Sequence, residues 1–329
     1  MTDIASGPPP YGSSAGRRPE AIKAIPLRHA WRWVSALLML AFAADAVFTM
    51  VTAPNLSWDV VGNYLFQRLI REGAVVTLEL TVLAMAIGIG LGIVLAVMRI
   101  SPNPVLVWAS WFYIWFFRGT PVLVQIFFWY NLNLVLPHIG VGVPGFPFLW
   151  QTSTNELISP FIAATLGLGF NEAAYMAEIV RAGIISVEHG QTEAAQALGM
   201  NRLLVMRRIV LPQAMRVIVP PTGNETISML KTSSLAFVAA VPELYERGQQ
   251  IASFNFRVVE LLIVISVWYL AMTSVLTFGQ YYLERYFARG SQRELPPTPL
   301  QTFRRLIVPF RVAPRHPADQ LTPPPSERR

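Results

Sequence analysis

The sequence contains no cysteine, only four histidines, and charged residues at just 14% of its 329 positions. Without cysteine the chain has no disulfide framework, no thiolate nucleophile and no cysteine-ligated metal site. The histidines stand far apart and show no spacing typical of metal ligands. A phosphate-binding loop of the GxxxxGKS/T type is also missing, so any ATP that is used would be bound by another chain.

Hydrophobic residues instead make up 53% of the sequence, and the mean hydropathy is +0.44. A soluble domain carries about 25% charged residues, so this composition is typical of an integral membrane protein. The pI near 10 could suggest a nucleic-acid partner. However, the basic residues stand where membrane topology would place them, and we expect no nucleic acid to bind.

Six apolar segments are long enough to cross a bilayer core, which requires ~20 residues of helix. They predict an all-α integral membrane protein with six transmembrane helices, at residues 33–51, 74–100, 105–134, 158–184, 214–241 and 258–287. The first segment is of span length behind a long leader, so it is interpreted as a signal anchor.

Small residues and helix breakers mark three of these segments. Ala84, Gly88, Gly92 and Ala96 recur at every fourth position of the second segment, a seam that allows close packing of another helix. The third segment is broken at 117–121 by Gly and Pro, where we expect a discontinuity. The fifth contains Pro220 and Pro221, which predict a second interruption.

The basic residues predict the orientation. With six spans both termini lie on one side, and that side carries 20 Lys and Arg residues against 4 on the opposite side. Positive loops face the cytoplasm, so both termini are expected there. Residues 1–28 and the Pro- and Arg-rich residues 289–329 are predicted to be disordered cytoplasmic tails.

One cytoplasmic loop, Thr192–Pro212, has the sequence TEAAQALGMNRLLVMRRIVLP. The segment beginning at Glu193 is predicted to open a short helix that Gly199 ends, because glycine readily takes the left-handed conformation of a helix C-terminus. Asn201 is predicted to cap a second short helix that Pro212 ends. The loop is thus expected to form a compact knob that fits into a partner.

Charged side chains within the spans are costly, about 2.5–3.5 kcal/mol each on insertion scales, and normally face a cavity or a partner. They are Glu79, Arg118, Glu172, Glu178, Glu225 and Lys231. Two interpretations stay open: a polar pathway for a zwitterion, or charges that only hold the helix bundle together. The candidate pathway residues are Arg118, Thr120, Gln125, Glu178, Asn224, Lys231, Ser233 and Ser234.

The loop resembles the cytoplasmic signature of ABC importer permeases: Glu193-Ala194-Ala195, Gly199, then Ile209, Leu211 and Pro212. The segments FRGTP at 117–121, AYMAEIVRAG at 174–183 and LKTSSL at 230–235 resemble the polar amino acid branch of that family. The similarity covers about residues 73–287. Members of the branch usually have five core spans, so the first helix would be an addition.

The resemblance implies a type I ABC importer (MetI-like) transmembrane domain at residues 73–288, with its coupling loop at 186–213. Residues 29–72 would form the extra N-terminal helix and an external loop. It implies import of a polar amino acid by alternating access across a prokaryotic plasma membrane. The chain would not be an enzyme and would carry no cofactor, since Mg-ATP would bind partner ATPase subunits. An extracytoplasmic binding protein and a second permease chain, identical or different, would complete the assembly.

Two other classes of function compete with this one. An ion-coupled secondary transporter would also hold charges within the membrane, but such folds typically show an internal repeat, and none is convincing here. An ABC permease for another small polar solute would share every motif. A channel or a membrane enzyme is disfavoured because no filter-like segment and no nucleophile–base pair is found.

Overall fold

The computed structural model describes residues 30–141 and 149–287. The predicted tails, 1–28 and 289–329, lie outside the described residues. The chain divides into two compact units, one ending at Leu56 and the other beginning at Ser57. Each unit is described by itself.

The first unit contains one helix, α1, at Ala30–Val51. Its side chains at 31 and at 33–51 are all exposed, and most of them are apolar. The Thr52 hydroxyl donates to the Phe48 carbonyl at 2.7 Å and closes the last turn. Residues 33–51 are long and apolar enough to cross a membrane, as predicted.

The second unit is a bundle of helices with one short antiparallel hairpin. The helices before the hairpin are α2 (Trp58–Leu65), α3 (Arg68–Arg99), α4 (Pro104–Gly119) and α5 (Val122–Tyr130), followed by a 3-10 turn at Leu132–Leu134. Strands β1 (His138–Val141) and β2 (Trp150–Ser153) pair with His138 opposite Ser153.

After the hairpin the chain is again helical. The helices are α6 (Thr154–Leu157), α7 (Pro160–Ile185), α8 (His189–Ala197), α9 (Arg202–Val205), α10 (Leu211–Thr232), α11 (Leu244–Asn255) and α12 (Val258–Phe287). A π turn at Met206–Val210 joins α9 to α10, and a 3-10 segment at Ser233–Ala239 follows α10. Helices α3 and α12 join 33–51 as long, apolar candidates to cross a membrane.

The small-residue seam of α3 packs against α7, as predicted. Its four members, at positions 84, 88, 92 and 96, are buried. A Cβ added at Gly88 would lie 2.5 Å from the Glu172 Cγ, and one at Gly92 would lie 2.6 Å from the Met176 Cβ. Both distances are too short for real contacts, so the two helix backbones approach closely because these positions are glycine.

The break at 117–121 is confirmed, but the predicted interruption at Pro220-Pro221 is wrong. Helix α4 ends at Gly119 and α5 begins at Val122. By contrast, α10 runs through both prolines to Thr232. Proline has a helical φ, and a freed backbone group within a bundle can be bonded by a neighbouring helix. At the prolines α10 is also tied to α12, because Gln280 donates to the Pro220 carbonyl at 3.4 Å.

A buried carboxyl joins three helices in the connection 242–257, outside the predicted spans. Glu243 is 0% exposed and caps α11 by accepting from the backbone N–H groups of Tyr245 and Glu246. It also accepts from the Tyr269 hydroxyl of α12 at 3.1 Å and from the Thr77 hydroxyl of α3 at 3.4 Å. Burial raises the pKa of Glu243 to about 7, although the hydrogen bonds that it accepts oppose this rise.

This raised pKa predicts a pH dependence of stability. Because the folded chain holds the Glu243 proton more tightly than the unfolded chain, stability is highest below pH ~4.5 and is lost as the pH rises through about 7. The slope is at most about 1.4 kcal/mol per pH unit for one proton. Thermal unfolding in detergent from pH 5 to 8 should show a steeper loss in the native chain than in Glu243→Gln. Equal slopes would contradict the assignment.

Candidate functional site

The loop after α7 ends its first helix with a specific hydrogen-bond pattern. Gly199 has a φ of +81°, and its N–H donates to the Gln196 carbonyl at 2.9 Å. The Met200 N–H donates to the Ala195 carbonyl at 3.1 Å. Together these bonds form a Schellman motif, which glycine in the left-handed conformation favours. The prediction that Gly199 ends this helix is confirmed, although α8 begins at His189, one turn before Glu193.

The second half of the loop folds back on the first. The Asn201 side chain accepts from the Leu204 N–H at 2.9 Å, which confirms the predicted cap of α9. Ala195, Val205 and Val210 are buried together in a small core, with Ile209 partly buried against it. The loop 189–212 is therefore a compact knob with an apolar centre of its own.

Pro212 does not end the second helix. It lies in the first turn of α10, where the missing N–H of proline is tolerated. The chain between α9 and α10 widens into the π turn, in which the Leu211 N–H donates to the Met206 carbonyl five residues back. The knob thus continues without a gap into α10. The prediction that the second helix ends at Pro212 is therefore wrong.

The outer surface of the knob combines an acidic residue with apolar side chains. Glu193 and Ala194 are exposed. Leu198 and Leu203, on either side of Gly199, are 84% and 76% exposed. Exposed apolar side chains of this size on a folded knob are candidates for contact with a partner. The sequence prediction missed both leucines. Neither stands out in the sequence, because Leu198 follows Ala197 and Leu203 is followed by Leu204.

The polar residues at the α4–α5 break hold the backbone there. The Gln125 Nε2 donates to the Thr120 Oγ1 at 2.8 Å, to the Thr120 carbonyl at 3.1 Å and to the Phe117 carbonyl at 3.0 Å. The Asn171 Nδ2 of α7 donates to the same Phe117 carbonyl at 2.8 Å. These bonds satisfy carbonyls left open at the helix end. Thr120 and Gln125 therefore brace the break, and the amide of Gln125 is buried.

Arg118 points away from the break toward α7. Its guanidinium carbon lies 5.0 Å from the centre of the Tyr175 ring, within the range of a cation–π interaction. One turn along α7, Arg181 binds the Glu178 Oε2 through Nη2 at 2.7 Å and through Nε at 3.0 Å. A groove of about 570 Å³ lies between α4 and α7 and is lined by Arg99, Trp111, Ile114, Trp115, Arg118, Gly119, Tyr175, Glu178 and Arg181.

Two further carboxylates, on α7 and α10, interact electrostatically. Glu172 is only 4% exposed, and its Oε1 has no hydrogen-bond partner among the described residues. The Glu225 carboxylate repels it electrostatically, while Arg118 attracts Glu225. The pathway prediction omitted Glu172 and Glu225, since no spacing in the sequence shows that they interact. Glu172, Glu225 and Arg118 are here called the charged cluster.

The remaining candidate residues lie apart from the groove lining. Asn224 accepts from the Gln280 Nε2 of α12 at 2.9 Å, and Lys231 is exposed near the end of α10. The Ser233 and Ser234 hydroxyls donate to the Leu230 and Lys231 carbonyls, both at 2.7 Å. The structure therefore brings Arg118 and Glu178 into one groove and places the two serines at the end of α10.

The chain is similar to known proteins over most of its length. Residues 88–289 match the sequence profile of a family described as "Binding-protein-dependent transport system inner membrane component". The chain is 48% identical over 298 residues to the arginine transport system permease protein of Corynebacterium glutamicum, covering 90% of this chain and 91% of that protein. It is 36% identical to the glutamine transport system permease protein of Escherichia coli, covering 66% and 92%.

A solved structure, that of an amino acid ABC transporter with histidines, matches with a TM-score of 0.57 at 35% identity. The match covers 66% of this chain and 94% of that chain. The profile match, residues 88–289, includes the whole knob and all members of the charged cluster. These features therefore belong to the part of the chain that its relatives share.

Proposed function

Because the chain belongs to the family of binding-protein-dependent transport system inner membrane components, we propose that it forms the membrane path for a cationic amino acid. It is a multi-pass inner membrane protein and the permease subunit of an ABC importer for a polar amino acid, like its relatives for arginine, glutamine and octopine. The cationic class of substrate, the topology and the partner contacts are the parts that we propose.

The charged cluster is the observation that favours a cationic substrate. The buried Glu172 and the half-buried Glu225 repel each other, which is unfavourable unless a cation or a proton neutralises one of them. The unpartnered Glu172 Oε1 offers an acceptor to such a cation. A guanidinium or ammonium side chain would bind between Glu172 and Glu225 and would remove their repulsion. The 48% identity to an arginine permease over most of both chains supports the same class.

The α-carboxylate of the substrate would require a cation of its own. Arg118 attracts Glu225 electrostatically and also lines the groove. It can therefore bind the α-carboxylate of the substrate while Glu172 and Glu225 bind the substrate's side chain. Thr120 and Gln125 would serve this site indirectly, because they fix the helix end that carries Arg118. Asn224, Lys231, Ser233 and Ser234 would line the path elsewhere along α10 and its end.

The knob would pass the free energy of ATP hydrolysis to the membrane helices. Mg-ATP would bind a partner ATPase, and the exposed Glu193, Leu198 and Leu203 would dock in a groove of that subunit. Because the π turn joins the knob directly to α10, a movement of the docked knob would move the helix that carries Glu225. ATP would favour one arrangement of the knob and α10, and substrate would favour another. Coupling would be the difference in free energy between these arrangements.

The assembly would follow the orientation predicted from the basic residues. Both termini and the knob would face the cytoplasm, with six spans and α1 as an addition to the five core spans. A second permease chain and an extracytoplasmic amino acid-binding protein would complete the importer. The chain itself would hold no nucleotide.

Co-purification with the ATPase tests the proposed docking. Glu193 is exposed, so Glu193→Arg should leave the fold intact while placing a like charge or a clash in the docking groove. We expect the amount of ATPase that co-purifies with the variant in detergent to be at least about tenfold lower than with the native chain. This corresponds to the loss of one close charge contact of about 1.4 kcal/mol or more. Glu188→Arg, at another exposed acid just before α8, is the matched control and should retain normal amounts.

Two results would contradict the proposal. Equal ATPase retention by the native chain and Glu193→Arg would show that the knob does not dock through this face. Solute movement by the purified chain alone, driven by an ion gradient, would favour an ion-coupled carrier.

A further inference from the structure

The groove between α4 and α7 has a charge that does not suit a cationic substrate. Three of its lining residues are arginines and one, Glu178, is acidic. Since Arg181 already neutralises Glu178, the groove keeps an excess of positive charge. A cationic amino acid would be repelled along it, whereas an anion would be attracted.

Arg99 is the least satisfied of these cations. It forms no ion pair with any residue in the described ranges 30–141 and 149–287. Arg181 uses Nε and Nη2 on Glu178, so that pair leaves the donors of Nη1 unused. The Arg118 guanidinium is engaged with the Tyr175 ring, 5.0 Å from its centre. Two arginines, at positions 99 and 181, are therefore available to one anion.

Both arginines lie at the end of the bundle that carries the knob. Arg99 is the last residue of α3, and Arg181 precedes the end of α7 by four residues, or about 6 Å of helix rise. Helix α4 begins at this same end, and Arg118 follows its first residue by fourteen positions, about 21 Å. The groove thus runs from the end of the bundle that carries the knob toward the middle of α4.

The wall between these cations is aromatic and apolar. Trp111, Ile114 and Trp115 share one face of α4, and the two indole rings stack with centroids 6.1 Å apart. Both rings remain partly exposed. Tryptophan is enriched at the level of lipid headgroups, where an apolar ring meets a polar surface. An acyl chain can lie along this wall while a headgroup stays at the outer arginines.

We propose that this groove is a binding site for an anionic phospholipid, with the phosphate held by Arg99 and Arg181 and an acyl chain along Trp111 and Trp115. Basic pockets between membrane helices on the cytoplasmic side bind anionic headgroups in this manner. The assignment to the cytoplasmic leaflet rests on the topology in the proposed function. Binding itself depends only on the groove.

Native mass spectrometry of the purified full-length chain tests this site without substrate or ATPase. The chain would be titrated in detergent with phosphatidylglycerol and, separately, with phosphatidylcholine of the same acyl chains. We expect one tightly held phosphatidylglycerol per chain and at least tenfold weaker binding of phosphatidylcholine. Arg99→Gln with Arg181→Gln should weaken the binding of phosphatidylglycerol at least tenfold, because both basic side chains that would hold the phosphate are removed. Arg99→Lys, which keeps the charge, should retain most of the binding.

Arg285→Gln is the matched control, because it removes a basic residue from the same end of the bundle but outside the groove. The proposal is overturned if the double variant, with an unchanged melting temperature, binds phosphatidylglycerol like the native chain. It is also overturned if both lipids bind equally, or if inorganic phosphate displaces the lipid at low millimolar concentration, which would indicate a site for free phosphate. Displacement by free arginine would assign the groove to the substrate instead. None of these results depends on whether transport occurs.

Discussion

Uptake of arginine is expected to fall at least about 30-fold when Glu172 is replaced by glutamine, because a buried charge pair with the substrate is lost. Truncating one partner of such a pair typically costs 2–5 kcal/mol, and 2 kcal/mol corresponds to about 30-fold. Glutamine keeps the size of the side chain, so its packing against Gly88 is retained. The measurement is initial uptake into proteoliposomes that hold the permease, its ATPase and its binding protein.

The binding protein makes this experiment specific to the membrane path. It is a separate chain, so its own preference among amino acids is unchanged by Glu172→Gln, and any change in the ratio of arginine to glutamine uptake arises in the permease. We expect arginine uptake to fall far more than glutamine uptake. Glu225→Gln should act in the same direction, with a smaller effect because Glu225 is more exposed than Glu172.

Glu79→Gln serves as the matched control for this substitution. Glu79 is an exposed acid on α3, in a separate groove lined mainly by apolar residues. Its substitution should leave arginine uptake within about twofold of the native value, as for a surface change of less than 0.5 kcal/mol. An equal fall in arginine and glutamine uptake for Glu172→Gln would mean that Glu172 supports the helix bundle and does not select the substrate.

The features that could be predicted from sequence depend on local interactions. The cap at Gly199 and the cap at Asn201 each involve residues within five positions along the chain, so their residue types alone predict them. The seam of α3 is likewise a property of one helix. The break at 117–121 follows from Gly119 and Pro121 and needs no knowledge of the partner helix.

The errors concern residues whose surroundings are set by other helices. Pro220 and Pro221 were predicted to interrupt α10, but the helix runs through both prolines, and Gln280 of α12 donates to the Pro220 carbonyl there. The assignment of Thr120 and Gln125 to a substrate path stays a prediction, but their sequence does not show that the Gln125 amide donates to backbone carbonyls of the break. The charged cluster is the opposite case. Glu172 and Glu225 are 53 positions apart, so only the packing of α7 against α10 brings them together.

Coupling between ATP hydrolysis and transport is expected to fail in Gly199→Val. The φ of +81° is unfavourable for any residue with a Cβ and most unfavourable for a β-branched one. No described atom lies within 4 Å of the position that a Cβ would take. The strain therefore arises in the backbone alone. This strain amounts to about 2 kcal/mol. It would make the arrangement of the knob with the Schellman motif about 30-fold less populated.

Gly199→Asn separates backbone strain from the mere presence of a side chain, because asparagine tolerates the left-handed conformation. Both variants place a side chain in the same open space, so both should insert and fold in the membrane with nearly native melting temperatures. We expect Gly199→Asn to retain most of its ATPase binding and uptake. In Gly199→Val both should fall at least tenfold. Any ATP hydrolysis that remains with Gly199→Val should no longer respond to the loaded binding protein.

A comparison of the two variants decides what the Schellman motif contributes. If Gly199→Val and Gly199→Asn lose activity to the same extent, the surface around Gly199 is in contact with the ATPase and glycine is needed for space. If neither loses activity, the shape of the knob is not what couples the subunits. Only the expected difference between the two variants shows that the left-handed cap holds Leu198 and Leu203 in the arrangement that docks. The same result would mean that a docked knob can move α10 through the π turn.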